Sequence, residues 1–137
     1  MLKIGKSFFR KLRAFNNKKF NKQCFNTGMY AESIAAKYLK KHRLIILEQN
    51  FLCKLGEIDI ICLDKETVVF IEVRYRSHAQ HGSAVESINY PKQQKIVKTA
   101  KYWTIQQQSQ HFNIRFDAIL FDKGIDYEHL TWLKAVF

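Results

Sequence analysis

Cysteine, proline and glycine are scarce in this chain, at three, one and five of 137 residues. Cys24, Cys53 and Cys62 form an odd set with no C-x-x-C pair, which argues against a zinc ribbon. Cys53 and Cys62 fall in strand-like runs and read as buried free thiols, which favours a reducing, cytoplasmic setting. The single proline and the few glycines sit at breaks between patterned segments, and there is no internal repeat or low-complexity stretch. No uninterrupted apolar run is long enough to span a bilayer, so stable membrane insertion is not expected. The opening "MLKIGKSFFRKLRAF" lacks a continuous apolar stretch and a small-residue cleavage site, and so does not read as a secretory signal. His78 and His81 have no neighbouring Cys or His to complete a metal site and read as part of a polar loop.

Acidic residues are missing from the first 31 positions; Glu32 is the first. Eight of the 23 Lys and Arg lie before residue 23: Lys3, Lys6, Arg10, Lys11, Arg13, Lys18, Lys19 and Lys22. The formal net charge of +11 therefore belongs mainly to an N-terminal arm, residues 1–26. Such an arm is drawn to phosphate backbones and more weakly to anionic lipid; a solubilising tail without a partner is the plain alternative. Its weak amphipathicity is compatible with a surface helix. The remainder, residues 27–137, is long enough for a single domain around one modest core, and a hydrophobic content of 47% is ordinary for a globular chain.

Within that domain the apolar period changes from helix to strand and back. Asn26 or Thr27 caps a helix over about 28–42, with an apolar arc of Ala31, Ile34, Ala35, Tyr38 and Leu39. Glu32 lies on the border of that arc, while Lys37, Lys40 and Lys41 point away. Strands are expected over "RLIILEQNFLC", 57–63 and 67–76, with a turn at Lys54-Leu55-Gly56 and a tight hairpin at Asp64-Lys65-Glu66. A polar loop runs through Gly82. Pro91 opens a second helix over about 91–108, which turns Ile96, Val97, Ala100 and Trp103 one way and Lys95, Lys98 and Lys101 the other. "HFNIRFDAILF" is a further strand, and "EHLTWLKAVF" a final strand or short helix. The order α-β-β-β-α-β gives an α/β fold, a central mixed sheet flanked by helices.

Two carboxylates interrupt the apolar strands, Asp59 between Ile58 and Ile60 and Glu72 between Ile71 and Val73. Strict alternation puts Glu57, Asp59 and Ile61 on one face, with Ile58, Ile60 and Cys62 on the other. In the next strand Val68, Phe70, Glu72, Arg74 and Arg76 share a face. Positions 59 and 72 are almost symmetric about Lys65-Glu66, so the hairpin brings them to one level. Buried carboxylates need partners. Arg74, Arg76 or Arg115 could pair with them across the sheet. A divalent cation would also remove their mutual repulsion, with Glu32 as a third oxygen ligand and Arg74 touching a phosphate, a set suited to phosphodiester hydrolysis. Glu57 reads as a solvated turn residue. Asp117, in "RFDAILF", either holds an Arg or sits near this site.

The stretch "TGMYAESIAAKYLKKHRLIILEQNFLCKLGEIDIICLDKETVVFIEVRYRS", followed by "HGSAVESINYPKQQKIVKTAKYW" and "IRFDAILF", resembles the YraN family of small bacterial proteins. The motifs G-x-x-A-E, G-E-I-D and F-I-E-V-R-Y-R, in that order, carry the likeness over about residues 27–121. The resemblance implies a restriction-endonuclease-like core and a Holliday-junction-resolvase-like, metal-dependent DNA endonuclease. Glu32, Asp59 and Glu72 would then be catalytic ligands of Mg²⁺ or Mn²⁺, and Arg74 would stand where the family signature carries lysine or arginine. Arginine keeps its charge where lysine can lose a proton, so Arg74 can stabilise charge but cannot act as a base. Lys92 or Gln93, in the first turn of the second helix, could replace the missing group. Arg74, Arg76, Lys92, Gln93, Lys95 and Lys98 form the expected DNA-binding set. A homodimer is implied by analogy with enzymes that cut two strands. A nuclease-fold DNA-binding protein without catalysis is the alternative.

Overall fold

Asn26 caps the first helix: its Oδ1 accepts the backbone N–H of Met29 at 2.8 Å, which satisfies one of the otherwise unpaired donors of the first turn. In this computed structural model residues 26–77, 88–110 and 112–137 are described. The basic arm up to residue 25, Cys24 and the loop carrying His78, His81 and Gly82 lie outside the described residues. The elements run α1 (Thr27–Lys41), β1 (Ile45–Cys53), β2 (Gly56–Asp64), β3 (Thr67–Arg76), α2 (Tyr90–Gln106), β4 (Asn113–Asp122) and β5 (Leu130–Leu133). The expected order is present, and the last segment contributes a strand.

The five strands lie side by side in chain order, antiparallel except for the parallel pair β3–β4. That parallel pair needs a crossover, and α2 lies between its strands in the chain. Lys65-Glu66 closes the β2–β3 hairpin over the Asp64–Thr67 pair, and Lys65 takes the left-handed backbone (φ 57°) of a tight reversal. Gly56 closes β1–β2 with φ +151°; a Cβ there would lie 2.9 Å from Thr99 Oγ1, so this turn can sit on α2 only with glycine.

Apolar side chains divide between the two faces. Ala31, Ala35, Ala36 and Leu39 of α1 pack on Ile60, Cys62, Val69, Ile71, Ile119 and Phe121. The alanines keep the helix close to the sheet, with Ala36 buried and Tyr38 only partly so. On the opposite face Ala100 and Trp103 of α2 cover Ile58, Ile61, Leu63, Val68 and Phe70, with Trp103 edge-on to Phe70 at 5.7 Å. Trp103 Nε1 donates to Glu48 Oε2 at 2.7 Å, so its polar atom is not left unpaired in the core. Cys62 is buried as expected, whereas Cys53 is only half-buried. No helix among the described residues is long and apolar enough to cross a membrane.

One expectation about the faces is corrected. Ile58 packs with Ile61 on the α2 face, not with Ile60 and Cys62 on the α1 face. The reason is local irregularity in the β1–β2 pair. Asn50, between the paired residues Gln49 and Phe51 and opposite Asp59, has a left-handed φ of 52°, and the register also shifts between Ile46 and Glu48. Alternation is thus broken at the level of Asp59.

Candidate active site

The β2–β3 ladder ends at Ile60–Ile71, although β3 continues beside β4 to Arg76. The next residues outward are Asp59 and Glu72, in the register that the hairpin symmetry predicts. Because the backbone pairing stops there, the Val73 N–H has no strand acceptor on the β2 side. Asp59 Oδ2 accepts it instead, at 2.8 Å. Asp59 therefore fills the opening between two parting strands, and Glu72 is buried beside it at 8% exposure.

The two carboxyls lie within hydrogen-bonding reach of each other. Burial, followed by the charge of Glu72, raises Asp59 to about 7, opposed by the hydrogen bond from Val73. Burial likewise raises Glu72 to about 7, opposed by the Arg74 guanidinium and reinforced by Glu57. Glu32, on α1, is half-buried and also raised, chiefly by burial. Asn50 hydrogen-bonds to it, and the charges of Glu57 and Glu72 add to the shift. Four carboxylates thus share one electrostatic neighbourhood. Among the described residues, however, no group of three or more His, Cys, Asp or Glu is gathered closely enough to form a ready cage for a metal ion. Asp59 and Glu72 are adjacent, whereas Glu32 acts on them through its charge from α1.

Two cations meet Glu72 at the same oxygen. Arg74 Nε lies 3.1 Å from Oε1, and Lys92 Nζ, from the first turn of α2, is in direct contact with it. The Arg74 Nε–H is buried without a hydrogen bond of acceptable geometry among the described residues. It is close enough for an ion pair but is not aimed at the oxygen. Of the two α2 residues considered as replacements, Lys92 reaches the carboxylates, while Gln93 turns back to donate to the Ile88 carbonyl at 2.9 Å. Lys95 and Lys98 are exposed on α2, and Arg76 is half-buried at the end of β3.

The salt-bridge reading of the sequence therefore applies to Glu72, through Arg74. It does not involve Arg115, which pairs with Asp64 and Asp117. Asp117, 1% exposed, takes both Arg115 bonds and also accepts from Trp132 Nε1 and the Ala135 N–H. It ties β4 to the chain beyond β5. Glu57 is exposed, as read from sequence, yet its charge bears on all three other acids.

The donor set suits a hard cation. Mg²⁺ is commonly held by one or two carboxylates, with water and substrate phosphate completing its shell, so a pair without a full cage is adequate.

Residues 31–121 match the uncharacterised protein family UPF0102. A UPF0102 protein of Marinomonas sp. is 46% identical over 128 residues, 93% of this chain and 99% of its own length. Another from Pseudomonas fluorescens is 43% identical over 115 residues, covering 82% and 93% of the two chains. One from Clostridium botulinum reaches 52% over 93 residues, covering 67% and 76%. With the match spanning both helices and both carboxylate strands, the chain belongs to UPF0102, the YraN family that its motifs resemble.

Proposed function

We propose that this protein is a metal-dependent endonuclease that hydrolyses phosphodiester bonds in DNA, with a preference for branched or damaged structures. The observation that carries the reading is the Asp59–Glu72 pair, two carboxyls buried together where the β2–β3 ladder opens, with Arg74 on the same strand. Four carboxylates against Arg74 and Lys92 leave this spot negative in a chain of net charge +11. A DNA phosphate would be repelled unless a cation intervened. Asp59 and Glu72 would hold Mg²⁺ or Mn²⁺, with Glu32 adding negative potential from α1. When bound, such an ion supplies Lewis-acid activation of a phosphodiester.

The chain's own groups account for the remaining roles. Arg74, charged at any working pH, would pair with the scissile phosphate and stabilise the charge that builds on it. Arg76, Lys95 and Lys98 would hold the DNA backbone without reading its sequence, in a salt-dependent manner. A homodimer would bring two such sites to two strands.

A second reading, a DNA-binding protein without catalysis, is favoured by one observation: Glu72 Oε1 is already neutralised from within by Lys92 and Arg74. Labelled linear, flapped and four-way DNAs incubated with Mg²⁺, Mn²⁺ or EDTA separate the two. The nuclease cuts in the metal lanes only, and Asp59→Asn abolishes cutting. Retained binding with no cleavage in any lane would establish the second reading instead.

A further inference from the structure

Lys92 is held in a way that its neighbours on α2 are not. Its backbone N–H is fixed by Asn89 Oδ1 at 3.1 Å, and Pro91 precedes it in the first turn. The side chain is nevertheless one-third exposed at 33% and ends on Glu72 Oε1. The base of this lysine is thus anchored, while its head sits on a four-carbon stem with solvent at its side. The Arg74 side chain is exposed to the same degree, 35%, but the atom that meets Glu72, Nε, is itself buried. Of the two cations on Glu72, Lys92 makes its contact through the terminal atom of a flexible stem, and Arg74 through a buried one.

We infer that Lys92 is an internal counter-ion of Glu72 that a divalent cation must displace, so that cation binding and release of the Lys92 ammonium are one linked event. The inference rests on the metal-binding reading proposed above and specifies how that site is filled. A divalent cation approaching Glu72 Oε1 meets the like charge of the Lys92 ammonium already in contact with that oxygen, so the two oppose each other there. Linkage then works in both directions: Lys92 weakens the cation, and the cation frees Lys92. A freed ammonium, still anchored beside the pair, would face an incoming phosphate oxygen. Lysine would in this way enter the site from α2, where β3 carries Arg74.

The test reads metal binding and not catalysis. Mn²⁺ is titrated by electron paramagnetic resonance into the full chain and into Lys92→Gln and Lys95→Gln, each checked by circular dichroism. A neighbouring cation changes the proton affinity of a carboxylate by tenfold or more, and the same Coulomb energy acts on a metal. Lys92→Gln is therefore expected to bind Mn²⁺ about tenfold more tightly than the unaltered chain. Lys95→Gln, which removes the same charge from an exposed site, should stay within about twofold. In the unaltered chain, acetylation of Lys92 followed by mass spectrometry should speed up on adding Mg²⁺, a readout that needs no variant. Mn²⁺ binding by Lys92→Gln alone also supports the inference. If the unaltered chain binds Mn²⁺ and Lys92→Gln binds no more tightly, the counter-ion role is overturned while the metal site stands. If neither binds, both fall.

Discussion

Val73 donates its backbone N–H to Asp59 Oδ2 at 2.8 Å, two residues past Ile71, the last β3 residue paired with β2. A side chain here takes the place of a strand. The carboxylate satisfies a buried donor, and in exchange it is held in the low-dielectric opening of the sheet next to Glu72. Its raised proton affinity comes from that burial and from the charge of Glu72, and the Val73 hydrogen bond opposes it.

That raised affinity predicts the pH dependence of stability. Asp59 titrates near 3.8 when unfolded and at about 7 when folded, so between these values the folded chain binds more protons. The stability this group contributes is complete below about 4 and is lost as pH rises through about 7; Glu72 acts in the same direction. In EDTA, Tm should therefore fall between pH 5 and 8. Asp59→Asn, which still offers Val73 an oxygen, should flatten the fall, and Mg²⁺ should restore Tm at pH 8. An unchanged slope in Asp59→Asn, measured by calorimetry, would contradict the assignment.

Arg74 predicts a contrast between charge and base. If it acts only as a cation toward phosphate, Arg74→Lys should retain cleavage at or above the native level at pH 8. Arg74→Gln should lose about a hundredfold, the order seen when one charge-stabilising donor is removed. Single-turnover cleavage of labelled DNA at saturating enzyme reads the difference. Equal loss in both variants would assign Arg74 a packing role, since lysine keeps the charge but not the planar fork.

Asp117 predicts the behaviour of a structural carboxylate. Asp117→Ala would leave Trp132 Nε1 and the Ala135 N–H without their acceptor and strip Arg115 of its closest partner. Arg115 keeps Asp64, so the cost is mainly that of the two donors left unpaired, about 1–3 kcal/mol, which urea unfolding should show as a loss of stability. The milder Asp117→Asn should leave Mn²⁺ affinity unchanged. A weakened Mn²⁺ site in that variant would place Asp117 in the metal centre after all.

Much of this arrangement is legible in the residue pattern. The two apolar runs "IDIICL" and "VVFIEVRYR", with a polar reversal between them, specify a hairpin, and a hairpin sets register by symmetry. Asp59 and Glu72 have to arrive at the same level. The face of Ile58 is not legible, because the left-handed turn at Asn50 lies on the neighbouring strand and leaves no mark in the periodicity of β2. Nor is the electrostatic part of Glu57, an exposed residue whose charge matters only because three other acids fold toward it.

The α/β order, the hairpin and the two interrupting acids are set by the amino-acid sequence alone, since they follow from side-chain period and turn chemistry between close neighbours in the chain. Three other choices arise only on folding: Lys92 and not Gln93 meets Glu72, Asp117 holds Arg115 and Trp132, and Arg74 Nε is buried without a hydrogen bond among the described residues. Those choices depend on how α2 and the last strands dock against the sheet. Docking is set by the packing of Trp103, Ala100 and Ile96 and by the fit of Gly56 against Thr99, a global sum that no local pattern encodes.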